Sequence, residues 1–226
     1  IHLVDSIYNR TSIEIIFGTN EQFSAFEADG DARSNNCQIP GICFSTSGPG
    51  ATNLLTGIAT SYFDSIPLIV FTGQVARHRQ KGSLGVRQYG FQELSIREMA
   101  SHICKKTYAP VSIDQLPGIL KDAWELSLSG RKGPVLIDLA DDFQREEISI
   151  KDMPVLNFFE RQYENIVPFC NEIISDLSIS KKPLILIGQG ARGSKKQIEE
   201  LSLKFNIPIV STWAAIDLVA ECDNYY

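Results

Sequence analysis

An α/β fold, an open parallel sheet flanked by helices, is predicted by three features of this 226-residue chain. Residues 41–75 (GICFSTSGPGATNLLTGIATSYFDSIPLIVFTGQV) run from a short apolar segment through a glycine turn into a helical period, then into a second apolar segment. An apolar run with strand character recurs at Arg131-Lys132-Gly133-Pro134-Val135-Leu136-Ile137-Asp138. A fresh alternation of helix and strand then occupies the last quarter of the chain. Hydrophobic residues make up 43% of the sequence, enough for a substantial core, and 21% charged residues is ordinary for a globular protein.

The elements follow in order. Residues 1–8 have helical period (Leu3, Val4, Ile7, Tyr8) but neither an initiating methionine nor a capping residue, so the chain is expected to be truncated at this end. Residues 13–17 (IEIIF) are β-rich and predict a strand leading into Gly18-Thr19-Asn20-Glu21-Gln22. A helix is expected over 22–33, with Ala25, Phe26, Ala28 and Ala32 available to pack. Glu21 stands at its start, where the helix dipole favours a carboxylate; position alone leaves helix capping and a functional role both open.

Gly41–Ser45 reads as a buried strand, Ser47-Gly48-Pro49-Gly50 as the break, and Leu54, Leu55, Ile58, Ala59, Tyr62 and Phe63 as a helix face. Residues 68–71 form the second strand. Two strands joined by a helix of this length should be parallel, with the glycine turn at the carboxyl end where open sheets bind ligands. The turn is neither GxGxxG nor a phosphate loop, since no GK[ST] follows, and glycines serving the backbone alone remain an alternative. Residues 76–95 form a polar loop whose Arg77, His78, Arg79, Lys81 and Arg87 read as a solvated surface. Ile96–Ala100 and Leu116–Leu128 are helical, the latter closed by Gly130. Residues 1–147 make one domain, 148–162 a linker around Pro154, and 163–226 part of a second α/β domain. In that second part GQGAR is a Rossmann-like turn with too few glycines to specify a nucleotide.

A net charge of −6 disfavours nucleic acid. The five cysteines (Cys37, Cys43, Cys104, Cys170, Cys222) show no metal-binding spacing; Cys43 and Cys104 sit in apolar runs as buried thiols, which with the absence of a signal peptide predicts a cytoplasmic location. No stretch is long enough to span a bilayer.

The segment TSGPGATNLLTGIATSYFDSIPLIVFTGQV resembles the hallmark of thiamine-diphosphate enzymes of the acetolactate synthase group. NEQ-FSAFEADGDAR resembles the same family's glutamate-glutamine pair and Ala-Asp-Gly-Tyr-Ala-Arg helix, with Asn20, Glu27 and Asp31 as departures. Gly90-Phe91-Gln92-Glu93 is similar to its Phe-Gln-Glu signature, and HICKKTYAPV to its lysine-bearing strand. The resemblance implies that Glu21 is the catalytic glutamate and that Thr46, Gly48, Pro49, Asn53 and Gln92 bind the cofactor. It also implies that Phe91 and Lys105 face the substrate. It implies a carboligase of branched-chain amino acid biosynthesis that decarboxylates a 2-oxo acid such as pyruvate and joins the remainder to a second carbonyl. The cofactors implied are thiamine diphosphate and Mg²⁺, with FAD optional, in a homodimer or homotetramer. No Gly-Asp-Gly occurs, which places the Mg²⁺ and diphosphate ligands outside this chain. The segment KGSLGVRQYG is longer than in biosynthetic members and is similar to relatives of sugar or polysaccharide pathways. A related decarboxylase, lyase or sugar-pathway enzyme, and a non-catalytic module, therefore stay open.

Overall fold

In a computed structural model, residues 2–148 and 166–219 are described. The chain divides into two compact units, Ile1–Phe159 and Glu160–Tyr226. The expected linker, 148–162, lies outside the described residues except for Ile148.

The first unit holds helices α1 (His2–Arg10), α2 (Glu21–Ser34), α3 (Pro49–Asn53), α4 (Leu55–Asp64), α5 (Ile96–Ala100) and α6 (Leu116–Leu128). Its strands are β1 (Gly41–Ser45), β2 (Leu68–Gln74), β3 (Lys106–Tyr108) and β4 (Pro134–Ala140). They form one parallel sheet in the order β1-β2-β4-β3. The chain passes over the β4 position on the way to β3 and then returns to fill it. Strand β4 is therefore central and buried at all seven residues, and the near-continuous apolar run PVLIDLA suits a strand covered on both faces.

Alternation of side chains across the pleat sorts the core into two layers. On one face Cys43, Leu68, Val70 and Leu136 pack with Ala25 and Ala28 of α2, Ile58 of α4, and Ile96 and Ala100 of α5. On the other, Ile69, Val135 and Ile137 meet Ala123 of α6, with Ile119, Leu120 and Trp124 around them. Burial raises the thiols of Cys43 and Cys104 to about 12, so both are inert apolar fillers.

Residues 13–17 do not form the expected strand. They carry no strand assignment, and Ile13, Ile16 and Phe17 are exposed. The β-rich composition lacked a pairing partner among the described residues, and strand propensity expresses itself only through such pairing. The helix after the glycine turn is also divided, with Leu54 between α3 and α4 in right-handed helical geometry.

The second unit contains α7 (Val167–Ile179), β5 (Ile185–Ile187), α8 (Lys195–Phe205) and β6 (Ile209–Ser211), with β5 and β6 parallel. A small core of Ile187, Ile209, Ala215 and Leu218 holds it. Arg192 donates to both carboxylate oxygens of Asp217, at 2.7 and 2.9 Å, closing the turn after β5 onto the segment after β6. No helix among the described residues is long and apolar enough to cross a membrane.

Candidate active site

The site grows from the carboxyl end of β1. After Ser45 the chain must reverse direction within three residues to start α3 on the α2 side of the sheet. Gly48 performs that reversal with φ 60° and ψ −121°, a conformation that residues bearing a Cβ rarely adopt. A Cβ there would also lie 2.7 Å from Cβ of Gln92, so the turn and the 90–95 segment touch at this point. Pro49, with φ preset and no N–H to satisfy, opens α3.

Glu21 arrives from a different element. Asn20, not Glu21, caps α2: its Oδ1 accepts from the Gln22 N–H at 2.9 Å. The substitution that departs from the family pattern thus takes the capping task, and the Glu21 side chain is released from it. Asn53, the last residue of α3, donates from Nδ2 to Glu21 Oε2 at 2.9 Å, across 32 positions of sequence. This bond, followed by the backbone N–H of Glu21, holds the carboxyl below its ordinary range against the opposing effect of burial. Gly50 lies beside the carboxylate; a Cβ there would stand 3.2 Å from Glu21 Oε1 and 2.7 Å from Thr46 Cγ2. The other two departures, Glu27 and Asp31, are exposed on α2.

Of the residues selected from sequence, the structure therefore gathers Glu21, Asn53, Gly48, Pro49, Thr46 and Gln92 around one turn. Phe91 is 82% exposed and lines a cleft of about 660 Å³ at the carboxyl ends of β1, β2 and β4. Thr46 and Ser47 form the shared lip between this cleft and Glu21's turn. Stacked Phe44 and Phe71, 4.8 Å apart, supply the apolar wall of the cleft, while His78, Arg79, Asp141 and Arg145 supply its polar rim. Those rim residues were read as a solvated loop or not singled out, because only the strand register reveals that the ends of β2 and β4 meet there.

Lys105 is not brought to this site. It immediately precedes β3, and its N–H bonds the carbonyl of Pro134 at the start of β4. In a parallel sheet this is the end opposite to Gly48. Its ammonium donates to the carbonyls of Leu126 and Ser129 at 2.5 and 2.6 Å, so it caps the C-terminus of α6. Burial lowers its pKa.

Asp138, which the sequence shows only as the end of an apolar run, is a buried carboxyl. Burial in β4 pushes its carboxyl up to about 6, against the bonds it accepts from Thr72 Oγ1 at 2.8 Å and Gln74 Nε2 at 3.0 Å.

Residues 1–99 match the family model "Thiamine pyrophosphate enzyme, N-terminal TPP binding domain", and residues 170–226 match "Thiamine pyrophosphate enzyme, central domain". The chain belongs to the thiamine pyrophosphate enzymes. It is 37% identical over 214 residues to the acetolactate synthase large subunit of Lactococcus lactis, covering 93% of this chain and 36% of that protein. It is 41% identical over 199 residues to the acetolactate synthase of Arthrospira platensis, covering 85% and 33%. With isozyme 1 large subunit of Escherichia coli acetolactate synthase it shares 32% over 221 residues, covering 96% and 37%. The chain thus spans about a third of the length of the relatives it matches. Membership of this family agrees with the parallel sheet and with the place of the glycine turn at its carboxyl end.

The residues present suit the aminopyrimidine of the family's cofactor. A carboxylate is held at one edge of the turn, and Gly50 puts no side chain beside it. Among the described residues no group of three or more His, Cys, Asp or Glu is arranged to hold a metal ion.

Proposed function

We propose that this chain supplies the aminopyrimidine side of the active site in an acetolactate-synthase-like carboligase acting on a 2-oxo acid such as pyruvate. The observation that carries this reading is the Glu21–Asn53 pair at 2.9 Å, set against the Gly48–Gly50 turn at the carboxyl end of β1. Thiamine diphosphate, when bound, supplies the nucleophilic carbon that attacks the 2-oxo acid and allows carbon dioxide to leave.

The work of this chain is binding and proton handling. Glu21 would share a proton with N1′ of the aminopyrimidine, and the hydrogen bond from Asn53 favours the carboxylate side of that exchange. Asn53 keeps the carboxylate in one orientation. Gly48, Pro49 and Thr46 shape the floor on which the ring rests, and Gln92 closes it from the neighbouring segment. Phe91, Phe44 and Phe71 line the cleft and would give it an apolar surface toward the substrate.

The resemblance assigns Mg²⁺ and the diphosphate to residues beyond those of this chain, and it makes a homodimer or homotetramer the proposed assembly. The reaction is non-redox, so FAD remains optional. Free buried thiols at Cys43 and Cys104 suit a reducing cytoplasm.

Product analysis of the full-length protein with pyruvate, thiamine diphosphate and Mg²⁺ tests the proposal. Acetolactate is the expected product. Release of an aldehyde alone would replace the carboligase with a decarboxylase, and failure to bind the cofactor would leave a non-catalytic module.

A further inference from the structure

The stems of the loop before Gln92 are tied together by the Glu93 carboxylate, and within the loop Lys81 Nζ donates to the carbonyl of Arg87 at 3.2 Å. Glu93 Oε1 accepts from the backbone N–H of Lys81 at 2.7 Å. Its Oε2 accepts from the N–H groups of Tyr89, at 2.8 Å, and Gly90, at 3.3 Å. One carboxylate thus gathers three backbone donors from both stems of a loop whose intervening residues 82–89 are all exposed. Burial works to raise this carboxyl, and the bonds from Tyr89, Lys81 and Gly90 outweigh it, leaving its pKa below the ordinary value. The next residue is pinned as well: Gln74 Nε2 donates at 2.8 Å to the carbonyl of Leu94, while its Oε1 accepts from Val75 N–H.

Phe91 and Gln92 are therefore strung between two fixed points, Gly90 and Leu94. Gln92 takes φ 60°, a left-handed conformation disfavoured for a residue with a side chain, and its Cβ abuts Gly48. A backbone bond from Glu93 N–H to the carbonyl of Gly90, at 3.2 Å, closes a four-residue turn with Gln92 at its third position, and the Glu93 side chain ties that turn to Lys81.

We propose that Glu93 is a positioning residue that clasps the 81–93 loop shut and thereby sets Gln92 against the Gly48 turn. The clasp stands on the geometry alone, whereas its service to thiamine diphosphate rests on the function proposed above.

Glu93→Ala and Glu93→Gln in the full-length protein separate the two. The alanine variant is expected to raise backbone hydrogen exchange roughly tenfold or more across 81–92, and measurably across 47–53, with a small change in melting temperature. Its Kd for thiamine diphosphate in the presence of Mg²⁺ should rise about tenfold. Glutamine keeps one acceptor oxygen and should fall between parent and alanine in both readings. Unchanged exchange over 81–92 in both variants would overturn the clasp. Faster loop exchange with parental exchange at 47–53 and parental Kd would overturn the positioning role. A parent protein that binds no thiamine diphosphate would sink the proposed function instead, and exchange over 81–92 and at 47–53 would then decide the clasp and its hold on the Gly48 turn without it.

Discussion

The two ends of the four-stranded sheet each present an ionisable side chain, in opposite circumstances. At the amino end, the Lys105 ammonium is spent on the carbonyls of Leu126 and Ser129 that end α6. At the carboxyl end, the capping of α2 is done by Asn20, and the Glu21 carboxylate is left to a single cross-element bond from Asn53 beside a glycine turn. Both residues were selected by the same resemblance. What separates them is whether the local backbone already uses the group. A charge spent on the carbonyls that end a helix is structural, while a charge that no helix end needs is available to a ligand.

The largest effect expected from this contrast is at Glu21. Glu21→Gln keeps the size and one acceptor but cannot share the same proton, and turnover of the full-length enzyme should fall roughly 10²–10⁴-fold. The melting temperature should move little, since loss of a first-turn carboxylate costs on the order of 0.5 kcal/mol.

Next comes Asp138, which tests whether the carboxyl halves of the strands store strained charge. Its folded-state pKa of about 6 exceeds the ordinary aspartate value of 3.8. The folded state therefore binds this proton more tightly than the unfolded state does. The stabilisation is full below about pH 4 and is lost as pH rises through 6, a change on the order of 3 kcal/mol. Melting curves of parent and Asp138→Asn between pH 4 and 8 should diverge in slope across that window, with a constant offset outside it.

Asn53→Ala sharpens the account of Glu21 itself. Without the Nδ2 donor the Glu21 carboxyl should return upward toward its ordinary value, moving the acid limb of the pH–rate profile to higher pH. Turnover should drop about tenfold, the smaller cost of a misoriented rather than missing proton carrier.

The smallest effect is expected at Lys105. Lys105→Met removes two bonds to helix-end carbonyls from a partly solvated group, and thermal unfolding should register a loss of about 1 kcal/mol. A large rise in KM at unchanged stability would instead return Lys105 to the substrate role that the resemblance gave it.

These contrasts mark what the residue string carries and what it does not. The periods of 41–75 and of Leu116–Leu128 placed β1, β2 and α6 because each buries a face at its own spacing. Residues 13–17 misled because β-propensity is redeemed only by a partner strand. Glu21 and Asn53 lie 32 residues apart, and no spacing rule joins them; only the folded chain shows the bond at 2.9 Å between them. Lys105 shows the converse. The register that pairs Lys106 with Val135 places its neighbourhood at the far end of the sheet, and register is a property of the assembled strands. Asp138 and Glu93 escaped because their significance lies in hydrogen bonds closed by tertiary packing, Asp138 to Thr72 and Gln74 and Glu93 to three backbone donors.

The most direct test of the central claim is proton exchange at C2 of thiamine diphosphate bound to the full-length enzyme, followed by NMR in the parent and in Glu21→Gln. If Glu21 holds the proton at N1′, exchange in the variant slows by at least 10² while the protein stays folded and the cofactor stays bound. Exchange at the parental rate in Glu21→Gln would contradict the assignment of Glu21 to the chemistry.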